Sequence, residues 1–409
     1  MNDKQLYAQI LGIASPWQVT DVQLSLSEGK VEVKVSASPP ALLCPECGTR
    51  CPGYDARERR WRHLDTCQYQ TILVADVPRV ECPEHGVKQV AVPWAASGSR
   101  FTLLFERLVL DWLDGVSAVE TVANRMGLGW DVVAGIMDRA VKRGLARREL
   151  RPPRRIGVDE TSFQKRHEYV TVVTDLDSGK VIYVADGRGR EALEGFYRRL
   201  SPEDLEGIEV VAMDMSRPYI AATRACVPDA DAKIAFDKFH VVKLPSKGVD
   251  WVRRREAREL RREGDERLQG TRYYWLENPL HMSEGRWDRF TELRKEKLRT
   301  ARAWAMKDTA MALWSWRHGL TTAFKRWCSW VERSDLAPMQ RAAKAIRKHL
   351  GGILNAIRHG VSNGLAEGMN SIIQLLKAKA RGYRSRERFR MAILFRLGGL
   401  DLYPKAGEA

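Results

Sequence analysis

Three acidic residues in this 409-residue chain have the types and settings that metal-dependent phosphate chemistry uses. Asp159 lies in RRIGVDETSF, Asp214 in IEVVAMDMSRP and Glu367 in SNGLAEGMNSIIQLLKAKARGYR. The first two stand on or at the end of short β-branched runs, and the third sits in a helical pattern. Two strand-borne carboxylates and one helix-borne carboxylate are the donor set of a two-metal phosphoryl-transfer site. Mg²⁺ takes oxygen ligands and binds through a few carboxylates plus the phosphate of the substrate. Neighbouring carboxylates compete for the same role. Glu160 adjoins Asp159, but adjacent strand residues face opposite ways, so one of the two is expected to reach the site. Asp159, immediately before the polar turn, is preferred. Asp237, closing the run AKIAFD, is an alternative or a fourth ligand.

A second constellation lies near the N-terminus. Cys44 and Cys47 in CPEC, then Cys82 and His85 in CPEH, give a C-x₂-C and C-x₂-H pair, the ligand pattern of a structural Zn²⁺ site. Four protein ligands leave no open position for catalysis. Cys51 is a substitute ligand or a free thiol beside the knuckle. Cys67 falls in a strand pattern and reads as a small buried hydrophobe.

These residues need elements to hold them. Tyr69–Val74 and Val77–Val80 read as two pieces of strand carrying the second knuckle. FTLLFERLVLDWL is apolar at helical spacing, and SAVETVANRMGLGWDVVAGIMDRAVKRG reads as a helix-turn-helix. Ser117 and Glu120 form its expected capping box, Gly127 to Gly129 its turn, and Trp130 to Lys142 its second helix, which would enter a major groove. After RPPRR come a strand Ile156–Asp159, a hairpin turning at Asp177-Ser178-Gly179, the helix EALEGFYRRL, a strand Ile208–Met213, a helix opened by Pro218, and the strand AKIAFD running into KFHVVKL. The order β-β-β-α-β-α-β predicts an RNase H-like sheet whose first and fourth strands are adjacent, bringing Asp159 to Asp214. From about Asp250 to Ala337 no strand pattern appears. Eight of the thirteen Trp fall between Trp251 and Trp330, and they read as the packing of an all-helical insertion. The expected organisation is a zinc-binding domain at 1–98, a helix-turn-helix at 99–150, the first part of the core at 151–249, the insertion at 250–337, and the second part of the core with a basic C-terminal helix at 338–409.

Lys and Arg number 68 against 52 Asp and Glu, a net charge of +16 and a pI near 9.6. Such an excess favours a polyanionic partner, because each neutralised phosphate releases counterions. Twelve of the basic residues but two acids fall within 341–390. Lys377, Lys379, Arg381 and Arg384, beyond Glu367, are placed to clamp phosphates next to the metal site. The first residues lack the pattern of a signal peptide, and no apolar run is long enough for a membrane span. Seven cysteines in a chain of this size do not make a disulfide scaffold, so a bacterial cytoplasm, with a nucleoid-bound pool, is the expected compartment.

The ordered set CPECG, RRWRHLDTCQ, VPRVECPEHG, SRFTLLFERLVLDWL, GVDETSFQKRHEYVTVVTDL, AMDMSRPYI, AFDKFHVVK, LRTARAWAMKD and SNGLAEGMNSIIQLLKAKARGYR resembles the ISL-three family of bacterial insertion-sequence transposases over nearly the whole chain. The resemblance carries that family's DDE triad onto Asp159, Asp214 and Glu367 and its zinc positions onto Cys44, Cys47, Cys82 and His85. It implies two Mg²⁺ ions, with Mn²⁺ able to substitute, and one structural Zn²⁺. It also implies recognition of terminal inverted repeats in double-stranded DNA, strand cleavage and strand transfer into target DNA, and a homodimer or larger synaptic assembly. Two other readings fit parts of the sequence: a non-catalytic DNA-binding regulator derived from a transposase, and a structure-specific nuclease on the same core.

Overall fold

The computed structural model describes all residues except 1, 38–41, 117, 150, 165–167, 279–280, 317, 362–363 and 406–409, and all but the side chains of 116, 364, 366 and 367. The chain forms two compact units, residues 1–149 with 376–409, and residues 150–375.

The first unit opens with α1 (Asp3–Ile10) and a five-stranded sheet of β1 (Trp17–Ser25), β2 (Lys30–Ala37), β3 (Gly53–Arg62), β4 (Gln70–Cys82) and β5 (Gly86–Gln89). Its order is β1-β2-β4-β3, with β5 paired to β4. The two strand pieces expected near Tyr69–Val80 are the single strand β4. Thr71, Leu73, Ala75 and Val77 alternate into the core without a break, so nothing ends the strand at Asp76. Trp94 fills that core between Trp17 and Trp61, with ring centroids 4.8 and 5.6 Å away. His63 is buried there and hydrogen-bonds Thr102 Oγ1 at 2.9 Å. Cys67 is exposed, in a left-handed turn residue between Thr66 and Tyr69, and not buried in a strand as its surroundings suggested.

α2 (Leu103–Val116), α3 (Val119–Met126) and α4 (Trp130–Arg147) follow. α3 starts from Ala118 without a side-chain cap, and Ser117, the expected cap, lies outside the described residues. Gly127 closes α3 in the left-handed conformation that glycine adopts without steric cost. α4 outruns its expected end because Ala140, Val141 and Gly144 continue its buried stripe.

The second unit holds β6 (Arg155–Gln164), β7 (Glu168–Asp175), β8 (Lys180–Asp186), α5 (Arg190–Tyr197), α6 (Pro202–Gly207), β9 (Val210–Met213), α7 (Arg217–Cys226), α8 (Ala230–Lys233) and β10 (Ile234–Phe236). The sheet order is β10-β9-β6-β7-β8, with β6, β9 and β10 parallel and β7 and β8 antiparallel. The first and fourth strands are neighbours, as an RNase H-like sheet requires. The run after AKIAFD is helical from Lys238, since Asp237 caps it. There follow α9 (Lys238–Arg262), α10 (Arg272–Leu276), α11 (Glu284–Lys295), α12 (Arg299–Ala312), α13 (Leu320–Glu332), α14 (Ala337–Lys348), α15 (Leu350–Arg358) and α16 (Gly364–Lys379), with no strand among the described residues. The helical region and the sheet share one core, from Ile156 and Val211 to Trp275, Phe290, Trp304 and Trp327. α9 runs unbroken past residue 250, and its buried Glu256 accepts hydrogen bonds from Arg299 N–H, Thr300 N–H and Thr300 Oγ1, capping α12. A buried carboxylate is tolerated when its lone pairs are filled in this way. Trp251, Trp316 and Trp330 remain exposed, so packing accounts for part of the Trp-rich segment.

α17 (Arg386–Leu397) belongs to the first unit and packs on α4. Beyond it Arg143 donates to Leu402 O at 2.9 Å and Arg147 to Tyr403 O at 2.7 Å. The open side chains of α4 are thereby reduced to Trp130, Asp131, Arg139, Lys142 and Ala146.

Candidate active site and metal cluster

Strand register builds the acidic site. Arg155, Ile156 and Gly157 of β6 pair with Val210, Val211 and Ala212 of β9, and Val211, Ala212 and Met213 pair with Ile234, Ala235 and Phe236 of β10. Carried forward unchanged, these registers set Asp159 level with Asp214 and Asp214 level with Asp237. Parallel strands in one register deliver carboxylates side by side with no help from loops.

Asp159 is half-buried. Its Oδ1 accepts from Glu160 N–H at 2.8 Å and its Oδ2 from Asn370 Nδ2 of α16 at 2.5 Å. Two residues along the same strand face, Thr161 Oγ1 accepts from Gln374 Nε2 at 2.7 Å. Positions i and i+2 of the strand thus meet i and i+4 of the helix, which matches the two periodicities. Met369 joins the same contact, 3.5 Å from Thr174 Oγ1. Glu367 lies in α16 three positions before Asn370 and seven before Gln374, the spacing of one helical stripe. Its side chain lies outside the described residues. Asp214 is half-buried and accepts from Ser216 N–H at 2.9 Å. Asp237 is buried, accepts from Phe239 N–H at 3.1 Å as the cap of α9, and stands 3.8 Å from His240 Nε2.

The electrostatics describe crowded negative charge. Burial pushes the Asp159 carboxyl up and Asp214 adds to it, while Glu160 N–H, His240 and Asn370 pull it down. Glu160 is pushed up to about 7 by burial and then by Asp214 and Asp159, against the pull of Arg188. Carboxylates that raise one another in this way are stabilised by a shared cation. Sequence reasoning chose among the acids but missed Asn370, Gln374 and His240. An amide or a lone imidazole in a helical pattern carries no mark of what it faces.

The zinc positions converge. The ligand atoms of Cys44, Cys47, Cys82 and His85 lie within 4.8 Å of one another. Cys47 Sγ is 3.7 Å from Cys82 Sγ, and His85 Nδ1 is 3.5 Å from Cys82 Sγ and 3.8 Å from Cys44 Sγ. With metal–sulfur bonds of about 2.3 Å, a tetrahedron has edges of roughly 3.8 Å, so the four donors already have the size of a Zn²⁺ shell. Hydrogen bonding to Thr49 holds the Cys47 thiol down to about 6, favouring the thiolate a metal takes. His85 presents its other nitrogen to Glu46 at 3.8 Å, the outer carboxylate that orients a ligating imidazole. Cys51 is turned to Thr49 O at 3.4 Å, outside the set. Lys377, Lys379, Arg381 and Arg384 fall in the first unit, at the end of α16 and in the turn that follows. No helix among the described residues is long and apolar enough to cross a membrane.

A mixed five-stranded sheet of order β10-β9-β6-β7-β8, with its first and fourth strands side by side, has the arrangement of the RNase H-like class. Comparison with known proteins narrows that class. Residues 156–393 match the DDE transposase domain of the ISL3 type, residues 41–85 the zinc-finger of transposase IS204/IS1001/IS1096/IS1165, and residues 90–141 the helix-turn-helix domain of transposase family ISL3. The transposase for insertion sequence element IS1557 of Mycobacterium tuberculosis is 30% identical over 421 residues, spanning 94% of this chain and 93% of the relative. The transposase for insertion sequence element IS1001 of Bordetella parapertussis is 28% identical over 359 residues, 86% of this chain and 88% of the relative. The chain belongs to the ISL3 family of insertion-sequence transposases. It is a DNA-binding enzyme of strand cleavage and strand transfer, with a structural Zn²⁺ in its ribbon and a divalent metal, Mg²⁺, in its DDE domain.

Proposed function

We propose that Asp159, Asp214 and Glu367 are the metal-binding triad with which this transposase cuts its element ends and joins them to target DNA. The observation that supports this reading is the register of β6 on β9, which, carried two residues beyond its last pair, would set Asp159 level with Asp214, together with the Asn370–Asp159 bond from α16. Two Mg²⁺ ions held there supply activation of the attacking hydroxyl and neutralisation of charge on the leaving oxygen. The chain's own residues orient the donors. Asn370 fixes one oxygen of Asp159, Ser216 N–H fixes one of Asp214, and Gln374 with Thr161 holds α16 in register so that Glu367 falls one turn before Asn370. The zinc ribbon and helix-turn-helix are the modules we assign to the terminal inverted repeats. Joining two ends calls for a dimer or larger assembly, working in the bacterial cytoplasm.

Iron-directed protein cleavage tests the triad. Fe²⁺ in place of Mg²⁺, with ascorbate and peroxide, cuts the polypeptide near the bound ion. Breaks near residues 159, 214 and 367 that excess Mg²⁺ suppresses are expected. Breaks near 159 and 214 but none near 367 would remove Glu367 from the site.

A further inference from the structure

We propose that the turn between α16 and α17 is a phosphate-docking element of the helix-turn-helix module, with Lys379, Arg381 and Arg384 gripping the DNA backbone beside α3 and α4. The inference rests on the reading that this module binds duplex DNA, and it gives these residues a place there in addition to their sequence-based assignment as a clamp at the metals.

The turn and the two helices line a common cleft of about 800 Å³ within the first unit. Residues 118–121 at the start of α3 and Trp130 and Asp131 at the start of α4 form one wall, and residues 379–385 form the other. Lys379, Arg381 and Arg384 are exposed. The cleft also contains Glu120 and Asp131, but Asp131 is paired with Arg388 at 3.1 Å, whose guanidinium lies 4.3 Å from the centre of the Trp130 ring. The balance is cationic. Both helices begin without a side-chain cap, so first-turn N–H groups add positive potential at the same wall. A cleft lined by cations at the mouth of a helix-turn-helix matches backbone docking, which positions a protein on duplex DNA without reading sequence.

Arg381 supplies an independent observation. Gly382 N–H returns to Lys377 O at 2.9 Å and Arg381 N–H to Ala378 O at 3.0 Å, so the helix ends in a Schellman turn with Arg381 in the left-handed position. Its φ is +51°, a conformation in which any side chain is unfavourable and glycine is not. α3 closes the same way with Gly127. Keeping an arginine where glycine would be cheaper points to a use for the guanidinium, as strained residues elsewhere cluster at binding sites. Tyr383 holds the turn in place, half-buried with its ring 5.1 Å from that of Phe389.

The test is the affinity of the full zinc-loaded chain for an element-end duplex and for a shuffled duplex, by fluorescence anisotropy without added Mg²⁺ or Mn²⁺ over a series of salt concentrations. Wild type is compared with Arg381→Gly and with Lys379→Ala/Arg384→Ala, and melting temperatures are recorded. Arg381→Gly is expected to melt at or above wild type while binding both duplexes roughly eightfold more weakly at 0.1 M salt, with the salt slope reduced by about one. The double variant is expected to lose about two from the slope. Unchanged affinity and slope would overturn the proposal. So would a loss confined to the end duplex, which marks base readout, or a lower melting temperature for Arg381→Gly, which marks a structural arginine. Leaving out Mg²⁺ and Mn²⁺ withholds phosphodiester chemistry while the ribbon keeps its zinc, so none of these outcomes depends on the carboxylate triad. If wild type fails to prefer the end duplex, end recognition by the module falls, while the shuffled duplex still judges the phosphate contacts.

Discussion

Asn370→Ala is the perturbation that isolates the link between α16 and β6. In the wild type Asn370 Nδ2 donates to Asp159 Oδ2 at 2.5 Å, and Asp159 is the carboxylate that burial and Asp214 already disfavour in its charged form. A hydrogen bond to a charged group contributes about 1.5–3 kcal/mol. Both partners are half-exposed, so water partly replaces the lost donor and the lower end applies, about 1.5 kcal/mol, or roughly tenfold in an equilibrium. The fold is expected to persist, because Gln374–Thr161 and Met369–Thr174 still hold the helix on the sheet. The loss should fall on the metal, whose binding needs a charged, oriented Asp159. The assay is nicking of a labelled element-end duplex titrated with Mg²⁺. Half-saturation is expected to rise about tenfold, with much of the rate recovered at high Mg²⁺. A wild-type Mg²⁺ curve for Asn370→Ala, or a rate loss that added Mg²⁺ never recovers, would refute the reasoning that Asn370 acts through Asp159.

Three further outcomes follow from the same structure. Burial pushes His63 down to about 4 from its ordinary 6.5; the unfolded chain therefore takes up a proton between pH 6.5 and 4 that the folded chain refuses, and stability falls by about 3 kcal/mol as pH drops through that window. His63→Gln should flatten that part of the denaturation-midpoint profile, and an unaltered acid slope would exclude His63 as its source. Cys82→Ser should reduce bound zinc from one per chain to a small fraction by elemental analysis, since structural Zn²⁺ binding is on the order of 10 kcal/mol and depends on a full ligand set; retention of stoichiometric zinc would move the ligand elsewhere. A Cβ on Gly352 would lie 2.5 Å from two carbons of the Phe236 ring, so Gly352→Ala should destabilise by about 1–3 kcal/mol through the contact of α15 with β10. A melting temperature equal to wild type would show that the contact yields freely.

Much of this architecture is legible in the sequence because its signals are local. The β-branched runs around Val158 and Val211 give the strands, the Asp177-Ser178-Gly179 turn gives the hairpin, and C-x₂-C with C-x₂-H gives the zinc cluster. Asp159 and Asp214 stood out as carboxylates on or at the end of β-branched runs, and the adjacency of their strands, expected from the element order, is found in the sheet. What stayed hidden depends on contacts distant in the chain. Asn370 meets Asp159 across 211 residues, and Leu402 meets Arg143 across 259, so neither pair leaves a periodic trace. The packing of α17 and the segment after it on α4 was likewise hidden, because those residues come from the far end of the chain. Cys67 misled for the opposite reason: its neighbours alternate like a strand, but its own left-handed backbone turns it to solvent.

The decisive experiment compares wild type with Asp214→Ala on a labelled duplex carrying the element end, measuring binding and nicking in Mg²⁺ and in Mn²⁺. Nicking at the repeat boundary by wild type, abolished in Asp214→Ala with binding retained, is the expected result. Nicking by Asp214→Ala at the wild-type rate, or binding without nicking by both proteins in either metal, would contradict a carboxylate triad built on Asp214.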